Sequence, residues 1–352
     1  MKAGAQTLII LTPGFPANED ETTCLPFLQT HIHALNKEYP EIKILVITFQ
    51  YPYIKETYQW HGNEVICFGG REQRRLKRIQ LWLKAYSQLK SLRRTRNIIG
   101  LLSLWCTECA LIGSIFARRN NIPHFNWLCG QDAKKSNKYV RLIKPEADEL
   151  ISMSDFLRRE FHKNHGVYPA HIIPIGIDPA EFPQVRFERN IDIIGAGSLI
   201  PLKQYDIFIE VINELQIGIP SVSAILCGEG TEQPRLEKQI NDLGAQNNIS
   251  LFGAIPHTGV LQLMQQARIF LHTSNYEGFG TVCLEALYAG AHVVSFTRPM
   301  DNTIPHWHHV SNKKEMIKKV KEILQDKTVT HCPVAPYLAS DVVKDIVKLY
   351  QK

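Results

Sequence analysis

The chain has no apolar run long enough to cross a bilayer. Its first eleven residues contain one lysine and a short apolar run at 8–11, too short for the apolar region of a signal peptide. We therefore expect a cytoplasmic protein. Low-complexity tracts and internal repeats are also missing, and a length of 352 residues fits two globular domains.

Cysteine is present, but not in a pattern that indicates a metal site. Cys106 and Cys109 form a Cys-x-x-Cys without a second pair at zinc spacing, so two reduced structural thiols are favoured. His306, His308 and His309 lie next to each other, and histidines so placed rarely point to one centre. We expect a loop or a helix start there, and no metal.

Charge is distributed unevenly along the chain. Residues 71–96 contain ten lysines and arginines and one acid, Glu72. Leu76, Ile79, Leu83 and Tyr86 recur there at spacings of three and four, which predicts a basic amphipathic helix. It is either the solvated face of a core helix or a contact for an anionic partner: a membrane surface, a lipid-linked phosphate acceptor or an acidic glycan. No nucleic-acid motif accompanies the charge, so nucleic acid is not expected.

Short apolar runs alternate with helix-period segments over nearly the whole chain. Such alternation predicts an α/β protein with parallel sheets covered by helices, here in two Rossmann-like domains. Pro174 and Gly176 break both periodicities and mark the boundary. We therefore expect domains at 1–175 and 176–335, followed by an amphipathic helix within 336–352.

The segment 274–290 carries the most specific chemical signal. Glu277 and Glu285 bracket a turn with Gly278 and Gly280, and a helix is predicted from Thr281 onwards. The first N–H groups of a helix have no partner within it and attract phosphate oxygens. Carboxylates accept hydrogen bonds from sugar hydroxyls. A phosphate site between two carboxylates indicates a nucleotide-sugar pocket.

This segment resembles the signature of the family-4 retaining glycosyltransferases of the GT-B fold, also called glycosyl transferases group 1. Their mark is a glutamate, seven residues and a second glutamate, complete here from Glu277 to Glu285. The resemblance implies two Rossmann-like domains facing each other across a cleft, with the last helix crossing back to the first domain. It places Glu277 by the donor sugar and Glu285 on the nucleotide ribose. It also implies that no metal is needed, because cations and helix N-termini neutralise the diphosphate.

A second match lies at 191–203, where a predicted strand ends in glycines and Lys203 follows. In the family an arginine and this lysine hold the donor diphosphate. Ser198 stands in the place of the arginine, which removes a bidentate phosphate contact, and Arg298 is a candidate replacement. A dinucleotide fingerprint is disfavoured because Ile200 occupies the third glycine position. The expected donor-side residues are Gly197, Ser198, Lys203, Phe252, Gly278, Phe279, Gly280, Thr281, Val282 and Glu285.

The acceptor side departs further from the family. Many relatives have a strand that ends in His-Gly-x-Asp, and here Cys129 replaces the histidine, followed by Gln131 and Asp132. Those two side chains are expected to bond sugar hydroxyls, and Gly14 to supply a backbone contact after the first strand.

The sequence thus predicts a retaining glycosyltransferase with Glu277 and Lys203 as its catalytic residues. The donor would be a UDP- or GDP-sugar, and the acceptor a glycan or a lipid-linked hydroxyl. The 71–96 helix would allow peripheral contact with the inner face of a membrane. Two alternatives remain open: a nucleotide-sugar-binding partner subunit without catalysis, and a GT-B enzyme of another type such as an epimerase.

Overall fold

The computed structural model describes residues 5–71, 76–185 and 187–351, which form two compact units. Unit 1 comprises Met1–Gly176 together with Ala339–Lys352, and unit 2 comprises Ile177–Leu338. The boundaries expected from the sequence lie one and three residues earlier in the chain.

Unit 1 is built around an eight-stranded sheet with the order β3-β4-β2-β1-β5-β6-β7-β8. All neighbours pair in parallel except β3 and β4. Its strands are β1 (Gln6–Thr12), β2 (Ile42–Thr48), β3 (Thr57–Trp60), β4 (Asn63–Cys67), β5 (Asn97–Leu104), β6 (His124–Leu128), β7 (Leu150–Ser152) and β8 (His171–Ile172). Its first five helices are α1 (Pro26–Glu38), α2 (Leu76–Thr95), α3 (Glu108–Asn120), α4 (Lys138–Ile143) and α5 (Asp155–His165).

Unit 2 is built around a six-stranded sheet with the order β11-β10-β9-β12-β13-β14, in which every neighbouring pair is parallel. Its strands are β9 (Ile191–Ala196), β10 (Ala224–Cys227), β11 (Ile249–Gly253), β12 (Ala267–His272), β13 (His292–Ser295) and β14 (Trp307–His309). Its helices are α6 (Tyr205–Leu215), α7 (Gln233–Asp242), α8 (His257–Gln266), α9 (Thr281–Tyr288) and α10 (Lys313–Gln325). The predicted pair of α/β units with parallel sheets is confirmed.

The last helix, α11 (Ala339–Lys348), packs in unit 1 against α1, as predicted. Val343 and Val347 join the apolar core there. Beyond the helix, the Tyr350 hydroxyl donates to the Leu101 carbonyl at 2.8 Å. Gly100 makes room for this ring, because a Cβ at that position would lie 2.2 Å from it. The C-terminal segment therefore contacts the sheet of unit 1 through the Tyr350 ring, which fits over Gly100.

Helix α2 forms in the basic segment, but its orientation differs from the one that the apolar spacing indicates. Leu76, Ile79 and Leu83 are 75%, 48% and 65% exposed. Of the four residues in the predicted stripe, Tyr86 packs on the core, with its ring 6.0 Å from that of Phe116. The buried face consists of Leu81, Ala85, Leu89 and Leu92. Glu72, Gln73, Arg74 and Arg75 lie outside the described residues.

A buried carboxylate explains this orientation. Glu108 opens α3 and is 5% exposed. It accepts a hydrogen bond from the Trp82 indole at 2.6 Å and lies 3.6 Å from Arg78 Nε. A buried charge needs such partners, so Trp82 and Arg78 turn inwards and the opposite face of α2 turns to solvent. Over the described ranges, no helix combines the length and apolarity needed to span a bilayer.

Candidate active site

The glycine turn before α9 gives the helix an accessible N-terminus. Gly280 adopts the left-handed conformation at φ 92°, which favours glycine, and its carbonyl accepts the Cys283 N–H at 2.9 Å. The amides of Thr281 and Val282 therefore have no partner within the helix. Together with the helix dipole, they offer positive charge to an anion at this end of α9.

Lys203 and Glu277, which the sequence places 74 residues apart, form an ion pair in unit 2. Their side chains are 19% and 16% exposed. Burial raises the pKa of Glu277, but the contacts with His272 and Lys203 outweigh it and lower that pKa to about 2. The carboxylate is thus ionised at neutral pH.

His272 is a third member of this cluster, and the sequence analysis missed it. Its Nε2 lies 3.4 Å from Glu277 Oε1, and its side chain is 4% exposed. It is the last residue of β12, and ligands of parallel sheets bind at the carboxyl ends of the strands. A polar residue at that strand end was the signal that could have identified it.

The backbone around Lys203 fixes the position of its side chain. Residues Pro201–Lys203 form a short 3-10 turn, and the Thr273 hydroxyl donates to the Lys203 carbonyl at 2.7 Å. Gly197, at φ 146°, directly follows β9 near this turn, and a Cβ there would lie 2.9 Å from the Tyr205 hydroxyl. The ammonium group is therefore held at a strand end by a loop that needs glycine.

Glu285 lies one turn into α9 and has a partner of its own. Its Oε1 is 3.0 Å from Nε2 of His257, the first residue of α8. Burial alone would lower the pKa of His257, but the hydrogen bond and the charge of Glu285 raise it above its usual value. The sequence analysis did not single out His257, and its place directly after the β11 loop was the available signal.

The two glycines after β10 allow a close backbone approach. A Cβ on Gly228 would lie 2.0 Å from the Gly197 carbonyl oxygen, and one on Gly230 would lie 2.4 Å from that of Leu199. The ends of β9 and β10 are thus packed backbone to backbone. Phe252, near the end of β11, is 47% exposed, so its ring is accessible for stacking.

Phe279, Ser198 and Arg298, all candidates for the donor side, lie in three different environments. Phe279 is 2% exposed and packs edge-on against Trp307 and Tyr337, so its side chain belongs to the core and not to a ligand surface. Ser198 is exposed. Arg298, the candidate substitute for the missing arginine, donates to the carbonyls of its own loop, at Met300 and Asp301.

Asp132, one of the predicted acceptor-side residues, has its side chain engaged within unit 1. This side chain is 1% exposed, and its Oδ2 accepts the Cys129 N–H at 2.8 Å, which closes the 3-10 turn Gly130–Ala133. Burial raises its pKa to about 7. Cys129 is also buried, and burial raises the pKa of its thiol. Gly14, expected to contact a ligand, is buried too, and its carbonyl accepts the Thr12 hydroxyl. These groups stabilise the loops of unit 1.

Gln131 is exposed and lines a cavity of about 350 Å³ in unit 1. Trp105 and Tyr139 supply its aromatic walls, and Lys134 and Lys138 supply positive charge. The cavity lies beyond the ends of β5 and β6, where a parallel sheet binds ligands. Of the predicted acceptor-side residues, Gln131 is thus the one whose side chain is exposed and lines a cavity.

The cysteine and histidine clusters belong to the structural framework, and His308 and His309 lie in strand β14 and not in the expected loop or helix start. Cys106 and Cys109 are free and fully buried. His308 Nε2 lies 3.0 Å from Nδ1 of His292, whose other nitrogen bonds the Thr330 carbonyl. Among the residues that the structure describes, no group of three metal-ligating side chains is placed to hold an ion.

Comparison with known proteins gives a family match for most of unit 2. Residues 178–332 match the family model "Glycosyl transferases group 1", which confirms the resemblance to that group over this part of the chain. The chain is 29% identical over 164 residues to one subunit of the phosphatidylinositol N-acetylglucosaminyltransferase of Arabidopsis thaliana; this covers 45% of the chain and 37% of that protein. An uncharacterized glycosyltransferase of Methanocaldococcus jannaschii is 22% identical over 274 residues, covering 75% of the chain and 73% of that protein.

Solved structures extend the similarity to the whole fold. The Anabaena protein HepE, in complex with UDP and glucose, superposes with a TM-score of 0.70 at 18% identity, covering 99% of this chain and 98% of HepE. Sucrose-phosphate synthase from Thermosynechococcus elongatus gives a TM-score of 0.69 at 15% identity, with 99% and 95% covered. The predicted GT-B fold is therefore confirmed. The chain spans 37% of the length of the plant transferase subunit and 26% of that of its human counterpart.

Proposed function

We propose that the chain is a retaining glycosyltransferase that moves a sugar from a nucleotide-diphosphate sugar to an acceptor hydroxyl. The observation that carries this proposal is the pairing of Lys203 with Glu277 at the glycine turn that opens α9. Both residues belong to the segment that matches group 1 glycosyltransferases.

The chemistry follows from where negative charge develops. As the bond to the sugar breaks, charge grows on the departing diphosphate. The Lys203 ammonium and the amides of Thr281 and Val282 are prepositioned to stabilise that charge. The acceptor oxygen bonds the anomeric carbon on the same face from which the diphosphate departs, and a leaving phosphate oxygen takes the proton of the acceptor hydroxyl. Retention by this route needs no protein nucleophile. For this reason the buried Cys129 in place of the family's histidine is compatible with transfer.

The two glutamates would bind different parts of the donor. Glu277, ionised beside Lys203, accepts hydrogen bonds from the hydroxyls of the donor sugar. Glu285, oriented by His257, accepts those of the ribose. With positive charge already supplied by side chain and helix, the reaction requires no metal.

Uridine nucleotide sugars are the first donors to test. HepE has been solved with UDP and with UDP-glucose, and several relatives are named as N-acetylglucosaminyltransferases. Phosphatidylinositol and glucose oligomers are suitable first acceptors, because other relatives are named for phosphatidylinositol or as glycogen synthase. Both fit synthesis of a glycolipid or polysaccharide at the cytoplasmic side of a membrane.

The decisive experiment compares Glu277→Ala with wild type. Release of nucleoside diphosphate from UDP-glucose, UDP-N-acetylglucosamine and a GDP-sugar is measured with the donor alone and with each acceptor. We expect Glu277→Ala to lower turnover at least about 100-fold, as loss of a group acting in the transition state does. Asp242→Asn, an exposed carboxylate on α7, is the matched control. Unchanged turnover in the folded Glu277→Ala protein would contradict the assignment.

A partner subunit without catalysis is the second candidate. It is favoured by the exposed Ser198 in place of the diphosphate arginine and by relatives that are named as subunits. Such a protein would bind the donor in calorimetry but show neither transfer nor donor hydrolysis. The wild-type arm of the same assay separates the two candidates.

A further inference from the structure

We propose that the outward face of α2 docks the protein on the surface of an anionic lipid bilayer. Helix α2 (Leu76–Thr95) has 20 residues and is therefore about 30 Å long, which suits a helix lying along a membrane. The proposal does not depend on the chemistry of the donor site, because the helix belongs to unit 1 and needs no nucleotide.

The first half of this face is apolar and turned to solvent. Leu76, Ile79 and Leu83 lie at spacings of three and four, on the side opposite the buried Leu81 and Ala85. All three are large, and each is about half exposed or more. Three such side chains on one helical stripe form a patch typical of an interaction surface.

The packing beneath α2 holds this patch outwards. Glu108, buried at the start of α3, bonds the Trp82 indole and lies close to Arg78. Rolling the helix to bury Leu76 and Leu83 would expose Trp82 and leave the Glu108 carboxylate without these partners. The Gln50 amide, which also donates to Glu108, would remain as a partner that carries no charge. Because a buried carboxylate that loses partners is costly, the outward patch is part of the folded state.

Positive charge surrounds the patch and continues along the helix. Lys77 and Lys84 are exposed beside it, and Lys90 and Arg94 extend the same stripe. Neither Lys90 nor Arg94 forms an ion pair with any residue that the structure describes. An open cavity of about 740 Å³ lies at the end of α2, and its basic lining consists of Lys90, Arg93, Arg94 and Arg96.

An anionic bilayer satisfies both halves of the face at once. A soluble polyanion would engage Lys90 and Arg94 but leave Leu76, Ile79 and Leu83 in water. A second copy of this chain, meeting the same face, would bring like charges together. At a membrane the leucines enter the boundary with the acyl chains, while lysine and arginine reach the phosphate groups.

Vesicle co-sedimentation tests the proposal with the whole chain and no nucleotide. We expect binding to phosphatidylcholine vesicles that contain about a third phosphatidylglycerol, and not to phosphatidylcholine alone. High salt should weaken it, because the charges are exposed. The substitutions Leu76→Ser, Ile79→Ser and Leu83→Ser together should lower the partition coefficient at least about tenfold. Lys90→Gln and Arg94→Gln should each lower it about fivefold.

Matched substitutions in unit 2 are the controls. Lys314→Gln, Lys318→Gln and Lys321→Gln remove exposed charges from α10, and Ile217→Ser removes an exposed apolar side chain. These variants should bind vesicles as wild type does, and circular dichroism confirms that every variant is folded.

Three results would overturn the proposal. One is wild-type protein that does not co-sediment with anionic vesicles. Another is a triple serine variant that binds them as wild type does, which would leave charge alone as the cause. The third is a wild-type dimer, seen in sedimentation without vesicles and broken by the triple substitution, which would make the patch an interface between copies. A failed vesicle experiment leaves the transferase assay unaffected, so the two proposals can be refuted separately.

Discussion

Glu277→Gln isolates the energetic role of charge at the candidate active site. Glutamine keeps the shape of the side chain but removes the negative charge that faces Lys203 and His272. The lowered pKa of Glu277, about 2 against an ordinary 4.5, corresponds to about 3 kcal/mol of stabilisation at neutral pH, since one pKa unit is worth about 1.4 kcal/mol. We expect the variant to lose a substantial part of this free energy of unfolding.

The loss should depend on pH in a defined direction. A carboxyl group whose pKa is lower in the folded state stabilises the protein above its ordinary pKa and loses this effect as pH falls through the lowered value. The difference between wild type and Glu277→Gln should therefore shrink from about 3 kcal/mol at pH 7 to about 2 kcal/mol near pH 3.5, and nearly vanish near pH 2.

Urea unfolding of both proteins, followed by circular dichroism at several pH values, measures this difference. Asp242→Asn, on the exposed surface of α7, should change the free energy of unfolding by less than about 0.5 kcal/mol. A Glu277→Gln difference below about 0.5 kcal/mol at pH 7, or one that does not change between pH 7 and pH 3.5, would refute the reasoning.

Two further predictions concern unit 2. Gly228→Ala should destabilise it by more than about 3 kcal/mol in urea unfolding, because the new Cβ would meet the Gly197 carbonyl at 2.0 Å; Gly244→Ala, at φ 65° with no atom within 4 Å, should cost about 1 kcal/mol. Burial lowers the pKa of His308 and of His331 to about 4, so wild type should lose stability as pH falls from about 6.5 towards 4. Replacing both histidines by glutamine should make that dependence less steep, with the buried His31 and His124 supplying the remainder, and an unchanged slope would contradict it.

The glycine turn before α9 could be predicted from the sequence because its chemistry is local. The turn directly before α9 needs the left-handed conformation that Gly280 adopts. The positions of Glu277 and Glu285 follow from how many residues separate them from the start of that helix. The alternation of apolar strands and helical segments likewise identified the two parallel sheets, since a parallel sheet needs a crossover helix. Such features depend on neighbours within one or two turns, which a single sequence displays.

The orientation of α2 could not be predicted in this way. Spacing alone favours Leu76, Ile79 and Leu83 as the buried stripe, and the structure exposes all three. What favours the observed orientation is Glu108, a buried residue outside the helix that pairs with Trp82 and Arg78 on its inward face. Likewise, Asp132 carries the pattern of a sugar ligand, but its carboxylate caps its own turn. In both cases a buried carboxylate found a partner that the linear pattern did not reveal.

The pairing of buried charges also determines which groups of the candidate site are free to bind an anion. Lys203, His272 and Glu277 are largely buried and contact one another, and the charges of Lys203 and Glu277 offset each other, so their geometry exists before any ligand binds. A diphosphate that approached Lys203 would have to compete with Glu277 for the positive charge of the lysine. The helix amides at Thr281 and Val282 face no such competition within α9, and under the proposed function we expect them to receive the phosphate first. Because Ser198 offers no charge, we also expect the start of α9 to take a larger share of diphosphate binding.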